Sequence, residues 1–313
     1  MNLMQSLKQQ ATASVQVLAR RYSSTARLSD VLSRHLPQVM CIDVGASYYP
    51  HPQWRLMLSS PGTRWIAVEP NVENIGYVHR WEWPCQVSAV TTGLSRQGGL
   101  QTLYVTHVDS GSSLLEPLVP ESQKHRFRDL DYFFPVRPRS IETMTLLEVI
   151  RASGDAIPTF VKLDTQGTEL SILQGAEPAM AARQIVGIEL ESTLLAQPVM
   201  QGAGKFWEAC RDLEALGFEL LRLKPIPGTP RKAHQHARAN TFLNECDAVF
   251  ALRRDIARDL SVEHRTALLA FYLCNRLYDE SHDLLENDAA VRSALKGRGC
   301  DVDRLDALID RLS

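Results

Sequence analysis

Several short apolar runs in this chain stop at a residue that could do chemistry. Val39 to Ala46 carries Asp43 and Gly45 at its end, Trp65 to Pro70 carries Glu69, and Phe160 to Asp164 ends on a carboxylate. Ser88 lies in a weaker run from Gln86 to Val90, and Glu189 and Glu191 sit at the end of one that begins at Ile185. Open α/β sheets bind ligands outside the carboxyl ends of their strands, and an ionised carboxylate accepts from two donors. Singly, Asp43 reads equally well as a helix N-cap and Glu69 as a solvated strand end. On one β-α-β unit, in this order, those bland readings become hard to hold together.

The first turn fails as a dinucleotide fingerprint. A G-x-G-x-x-G frame through Gly45 puts Asp43 at the first glycine and Tyr48 at the third, where helix–strand packing leaves no room for a side chain. A pyrophosphate would also meet the Asp43 carboxylate. A cofactor without phosphate fits better, and S-adenosylmethionine offers an amino-acid end and a sulfonium to a carboxylate beside a close-approach glycine. Glu69 is then placed to accept both ribose hydroxyls. The expected cofactor contacts are Asp43, Gly45, Ala46, Ser47, Glu69, Pro70 and Asn71. The third strand offers Ser88 and Ala89 and no acid, so adenine would be read by backbone and apolar contacts.

Two sets of residues now resemble a known family. Cys41 to Ala46 and Ala67 to Asn71 look like the first two motifs of class I S-adenosylmethionine-dependent methyltransferases. The run Val161-Lys162-Leu163-Asp164-Thr165-Gln166-Gly167-Thr168-Glu169-Leu170, with Leu173 to Ala176 after it, is similar to the most diagnostic segment of FkbM-type methyltransferases. The likeness continues through Ser110 to Leu114, Gly187 to Glu189 and Gly217-Phe218 to Asp247–Phe250. It implies a class I fold that transfers methyl groups, usually to a hydroxyl of a sugar, glycoconjugate or natural product. An acceptor would then meet Ser112, Ser113, Gln166, Glu169 and Glu191.

Methyl transfer to oxygen needs the acceptor in line and its proton removed, and Asp164 is the expected catalytic group. An ordinary Asp pKa of ~3.9 suits a base poorly unless burial raises it or alignment supplies most of the effect. The alternative is that Asp164 caps the helix after it. Lys162, within the strand next to the active edge, reads as a snorkelling or ion-paired residue rather than a catalyst. Mg²⁺ held by Asp164 with Glu189 or Glu191 through oxygen ligands is a minority option, whereas His234 and His236 lie among basic residues that would repel a cation. No metal ligand is assigned.

These residues must be positioned by a suitable scaffold. With 313 residues, 44% apolar and 22% charged, the chain has the make-up of a globular protein large enough for a sizeable core. A net charge of −2 gives no general field for nucleic acid. Six scattered cysteines without paired spacing speak against disulfide or zinc frameworks and for a reducing, cytoplasmic setting. Runs and helical stretches alternate from residue 38 to 255, which predicts an α/β sheet with helices on both faces, and the resemblance implies that this is a Rossmann-like sheet of seven mostly parallel strands. A helical lead covers 1–37 and a helical appendage 256–313. Glu169 to Met180 reads as one helix, and Leu100 to Val108 and Phe133 to Thr143 as extra strands around Gly111.

Three regions carry expectations about partners. Residues 1–29 hold Lys8, Arg20, Arg21 and Arg27 and no acid. They read as an ordinary first helix, with peripheral membrane contact or a transit segment as the alternative. No run is long enough to span a bilayer. Ala267 to Leu273 is apolar on every side, so it must be covered by its own chain or by a second subunit in a homodimer. The loop Lys224 to Asn240 is basic, and Arg231 and Lys232 would favour an acceptor with an anionic group. The rivals to methyl transfer are a nicotinamide-dependent oxidoreductase and a catalytically silent binding or assembly module.

Overall fold

A computed structural model describes residues 27–80, 82–119, 121, 124, 134–154, 157–227 and 243–312. Seven strands form the main sheet: β1 (Val39–Val44), β2 (Thr63–Val68), β3 (Gln86–Val90), β7 (Thr159–Leu163), β8 (Ile185–Thr193), β9 (Phe218–Pro227) and β10 (Leu243–Leu252). Their order is β3-β2-β1-β7-β8-β10-β9. All pairs from β3 to β8 are parallel, while β10 runs antiparallel to both of its neighbours. Every residue of β1 is buried. A central parallel strand is covered on both faces, which is why it reads as a continuous apolar run without alternation. A second sheet, ordered β4-β6-β5, contains β4 (Gly93–Leu94), β5 (Gly99–Thr106) and β6 (Pro135–Met144). The expected extra strands are these, and they stand apart from the main sheet.

The helices are α1 (27–32), α2 (Arg55–Leu58), α3 (Val72–Ile75), α4 (Leu146–Ala152), α5 (Glu169–Gly175), α6 (Glu177–Ala181), α7 (Phe206–Ala215) and α8 (Arg254–Ala257). Four more follow: α9 (Val262–Cys274), α10 (Tyr278–Asn287), α11 (Ala289–Gly297) and α12 (Val302–Asp310). The predicted helix from Glu169 to Met180 is broken at Ala176, because Pro178 opens a new first turn and supplies no backbone donor to the old one. Before β7, Thr145 and Glu148 form a reciprocal capping box that fixes the start of α4. The basic loop is shorter than predicted at its start. Lys224 lies on β9 with its ammonium 2.6 Å from Asp247, and Arg231 and Lys232 fall outside the described residues.

Helix α9 settles how the all-round apolar segment is covered. Phe271 stacks on Phe160 of β7 with ring centroids 4.8 Å apart and planes 6° off parallel. Gly187 of β8 lies beneath both, and a Cβ there would come within 2.8 Å of each ring. Helices α10 and α11 pack on the other side of α9. Residues Thr266 to Cys274 are all buried within the chain. Leu28, Val31 and Leu32 of α1 join the same core, and residues 1–26 lie outside the described part.

Candidate active site

Strand register assembles the site. Asp43 on β1 pairs with Lys162 on β7, and Lys162 pairs with Glu189 on β8. Residues paired in register point to the same face, so acid, base and acid stand in a row. One pleat earlier on this face come Cys41, Phe160 and Gly187, the part covered by α9. The charged row lies past that cover, at the carboxyl edge, where the loop after β1 crosses it. The backbone N–H of His51 approaches Asp43 Oδ2 at 3.4 Å, and its Nε2 lies 2.9 Å from Glu189 Oε1.

Lys162 ties the two strand-end aspartates together. Its Nζ lies 3.1 Å from Asp164 Oδ2 and 3.7 Å from Asp43 Oδ1. Burial works against the charged ammonium, but Asp164 and then Asp43 outweigh it and raise the Lys162 pKa above its usual value. Burial likewise pushes Asp164 up, yet the Lys162 charge and hydrogen bond, with help from neighbours, hold it below the ordinary carboxylate range. Asp164 is therefore a paired anion and a weak proton acceptor. The side-chain amide of Gln166 donates to Asp164 Oδ1 at 3.1 Å and to Glu191 Oε2 at 2.9 Å. Burial, reinforced by Asp164, raises the Glu191 carboxyl well above its usual value.

The turn from Thr165 to Gly167 is held by Glu169, whose carboxylate accepts the backbone N–H of Thr165 at 2.7 Å and of Gly167 at 2.9 Å. This occupies Glu169 in bracing the turn. Glu169 and Gln166 face a separate cleft of about 30 Å³ that they share with Glu191, room for little more than a water. Gly45 has φ +82, and a Cβ there would sit 1.9 Å from the Asp164 carbonyl oxygen. The glycine is demanded by the end of β7, a close approach of protein to protein. Tyr48 and Gln166 also hold positive φ, at 67° and 58°, so unusual backbone gathers around the charged row.

These edges enclose a cavity of about 690 Å³, within the range of small-molecule sites. Asp43, Gly45, Ala46, Ser47, Glu69, Pro70 and Asn71 line it, as do Ser112, Ser113, Asp164 and Glu191. Glu69 is buried, with Oε2 accepting from Ser47 Oγ at 2.7 Å and Oε1 from the Asn71 N–H at 2.9 Å. Burial raises its pKa against those two bonds. Ser113 donates its hydroxyl to the Gln166 carbonyl at 2.9 Å, which ties the smaller sheet to the Thr165–Gly167 turn.

Ser88 and Ala89 do not line the cavity. They lie inside β3, where Ser88 is exposed and Ala89 packs on the core, and the chain turns into the cavity only at Thr92, Gly93 and Leu94. Sequence reasoning also passed over His51, Arg137 and Arg139, all of which line the cavity. A histidine between two prolines in the first loop was the available signal for His51. The arginines had none, because only the pairing of β5 with β6 brings them there.

Asp43 and Glu189 line the cavity, and each has one buried oxygen, Asp43 Oδ1 and Glu189 Oε2, without a hydrogen-bond partner. Such acceptors suit a ligand that brings donors or positive charge. Among the described residues no three His, Cys, Asp or Glu side chains are arranged to hold a metal ion. A cation beside Asp164 would compete with the Lys162 ammonium already there, so Mg²⁺ does not fit. Among the described residues no helix is long and apolar enough to cross a membrane.

Residues 43–250 match the methyltransferase FkbM domain family. Comparison with curated proteins gives no match. Among solved structures the chain is similar to precorrin-6y C5,15-methyltransferase from Geobacter metallireducens, at 15% identity over 73% of this chain and 88% of that one, with a TM-score of 0.30.

Proposed function

The chain belongs to the FkbM methyltransferase family, and from that premise we propose that it transfers a methyl group from S-adenosylmethionine to a hydroxyl of a small acceptor such as a sugar, glycoconjugate or natural product. Glu69, Asp43 and the turn Gly45–Ser47 are the residues that would hold the cofactor. Each Glu69 oxygen accepts one bond and keeps capacity for a second, which suits a diol, and Asp43 Oδ1, which accepts no hydrogen bond and has only the Lys162 ammonium 3.7 Å away, keeps acceptor capacity for a ligand donor. When bound, the cofactor supplies an electrophilic methyl on a sulfonium.

The observation that carries the reading is the His51–Glu189 pair, 2.9 Å apart on the wall of the same cavity. An ionised carboxylate only accepts, so in the tautomer that donates from His51 Nε2 to Glu189 the ring's lone pair is on Nδ1. Among the described residues Nδ1 has no protein partner. His51 Nδ1 takes the hydroxyl proton, and Glu189 stabilises the imidazolium that results. Asp164, already committed to Lys162, orients the acceptor. Tyr48 and Asp43 stand where a nicotinamide enzyme would need glycines. Free cysteines throughout the described chain support a reducing, cytoplasmic setting.

Calorimetric titration should show binding of S-adenosylmethionine and S-adenosylhomocysteine and none of NAD; the reverse result would remove the proposal. With an acceptor found by a product gaining one methyl, His51→Gln should lower kcat about 10²-fold or more while cofactor affinity stays within twofold. Asp164→Asn should lower it less. If Asp164→Asn gives the larger loss, Asp164 is the base.

A further inference from the structure

The cavity has two electrical sides. Asp43, Glu69, Asp164, Glu189 and Glu191 gather at the strand ends of the main sheet with one buried ammonium, Lys162, among them. Another part of the lining comes from the smaller sheet and the turn after β5, which adds one acid, Asp109. Arg137 and Arg139 are two residues apart on β6 and therefore share a face. Their partners on β5 are Val105 and Leu103, and all four side chains line the cavity. Both arginines are exposed, and among the described residues neither guanidinium has an ion-pair or hydrogen-bond partner. In a cavity whose charged lining is mainly acidic, two arginines without a partner among the described residues require a reason.

We propose that Arg137 and Arg139 bind an anionic group, a phosphate or carboxylate, on the methyl acceptor. Alternate residues of a strand are about 6.6–6.8 Å apart, so two guanidinium groups on long side chains can reach one such group. Each presents a planar fork that matches phosphate and carboxylate oxygens. The charge pattern divides the ligands. A sulfonium and an ammonium suit the acidic edge, whereas an anionic acceptor is repelled there and held at the arginine wall. Such an acceptor can enter only with its charged end towards β6, which turns the uncharged, hydroxyl-bearing end to His51. This places the anion site on described strands, independent of the basic segment that contains Arg231 and Lys232.

The inference rests on the methyltransferase reading for the word acceptor, and the experiment separates the two. Protein saturated with S-adenosylhomocysteine is titrated with inorganic phosphate and, separately, with acetate, while the arginine Nε–Hε NMR signals are followed. Saturable shifts at Arg137 and Arg139 are expected, with apparent affinity reduced tenfold or more in Arg137→Gln/Arg139→Gln and weakened by added chloride. The stronger of the two titrations tells phosphate from carboxylate. S-adenosylhomocysteine affinity should stay within twofold in the double variant. Absence of saturable shifts, or equal anion affinity in the double variant, overturns the proposal. A tenfold loss of S-adenosylhomocysteine affinity also overturns it, since the arginines would then hold the cofactor's own carboxylate. Failure of the wild-type protein to bind S-adenosylhomocysteine removes the methyltransferase reading, and the phosphate titration still decides whether the arginines form an anion site.

Discussion

Glu69 and Asp164 are both carboxylates at parallel strand ends, and their neighbours give them different work. Glu69 meets only neutral donors, Ser47 and the Asn71 N–H, and keeps acceptor capacity towards the cavity. Glu69→Ala should remove charge-assisted hydrogen bonds worth roughly 1.5–3 kcal/mol and weaken S-adenosylhomocysteine binding about ten- to a hundredfold by calorimetry. Unchanged affinity would take Glu69 out of the cofactor site. Asp164 also accepts one bond on each oxygen, but one donor is the charged Lys162 ammonium at 3.1 Å and the other is Gln166 at 3.1 Å. The sequence made Asp164 the natural candidate for proton removal because it stands at the end of the diagnostic strand. The strand's own lysine, two residues back on the same face, pairs with it, whereas the position of His51 beside Glu189 depends on a contact between the loop after β1 and β8 that no local pattern encodes.

Helix α9 shows how an element can be legible in sequence while its partner is not. Its apolar circumference demands cover on several sides, and both the sheet and α10–α11 supply it. The seat on the sheet depends on Gly187, the one residue small enough to let Phe271 lie flat on Phe160. Phe271→Ala should cost about 3–5 kcal/mol, the usual range for a large buried aromatic, read as a fall in the denaturation midpoint with unchanged m-value. Removal of the chain from Ser261 onward should give insoluble protein, because it uncovers this whole face. A soluble, cofactor-binding truncation would show that α9 is dispensable to the fold. The break between α5 and α6 was equally legible, in Pro178, and went unread because the apolar spacing continues across it.

Across the whole molecule, the acids around the site set a pH dependence. Burial, with Glu169 and then Asp164 adding to it, pushes Glu245 up to about 7, and Glu191, Glu169 and Glu69 are raised as well, each chiefly by burial. An unfolded glutamate releases its proton near ~4.3. Between that value and about 7 the folded state therefore holds more protons than the unfolded one, so this contribution to stability is full at the acid end and is lost as pH rises through the folded pKa. Thermal melts should give a higher Tm at pH 6 than at pH 8, and Glu245→Gln should shrink that difference. A Tm that rises over this interval would mean that the buried acids are ionised throughout. Asp164, held low, contributes in the opposite sense and only in strong acid.

The sequence by itself determined the strand-end acids, the class of sheet, the cofactor edge around Asp43, Gly45 and Glu69, and the need to cover α9. These follow from residue type and short-range spacing: apolar runs that end at carboxylates, a glycine turn, and a helix without a polar face. Only the tertiary structure decided what the acids do. Asp43, Lys162 and Glu189 are far apart along the chain and become neighbours through parallel pairing in one register, and Arg137 and Arg139 reach the cavity because β6 pairs with β5 in a second sheet. The ionisation and bonding of a carboxylate depend on the charges and donors within a few ångströms of it, and in a parallel sheet those neighbours come from crossover connections that bring distant segments side by side.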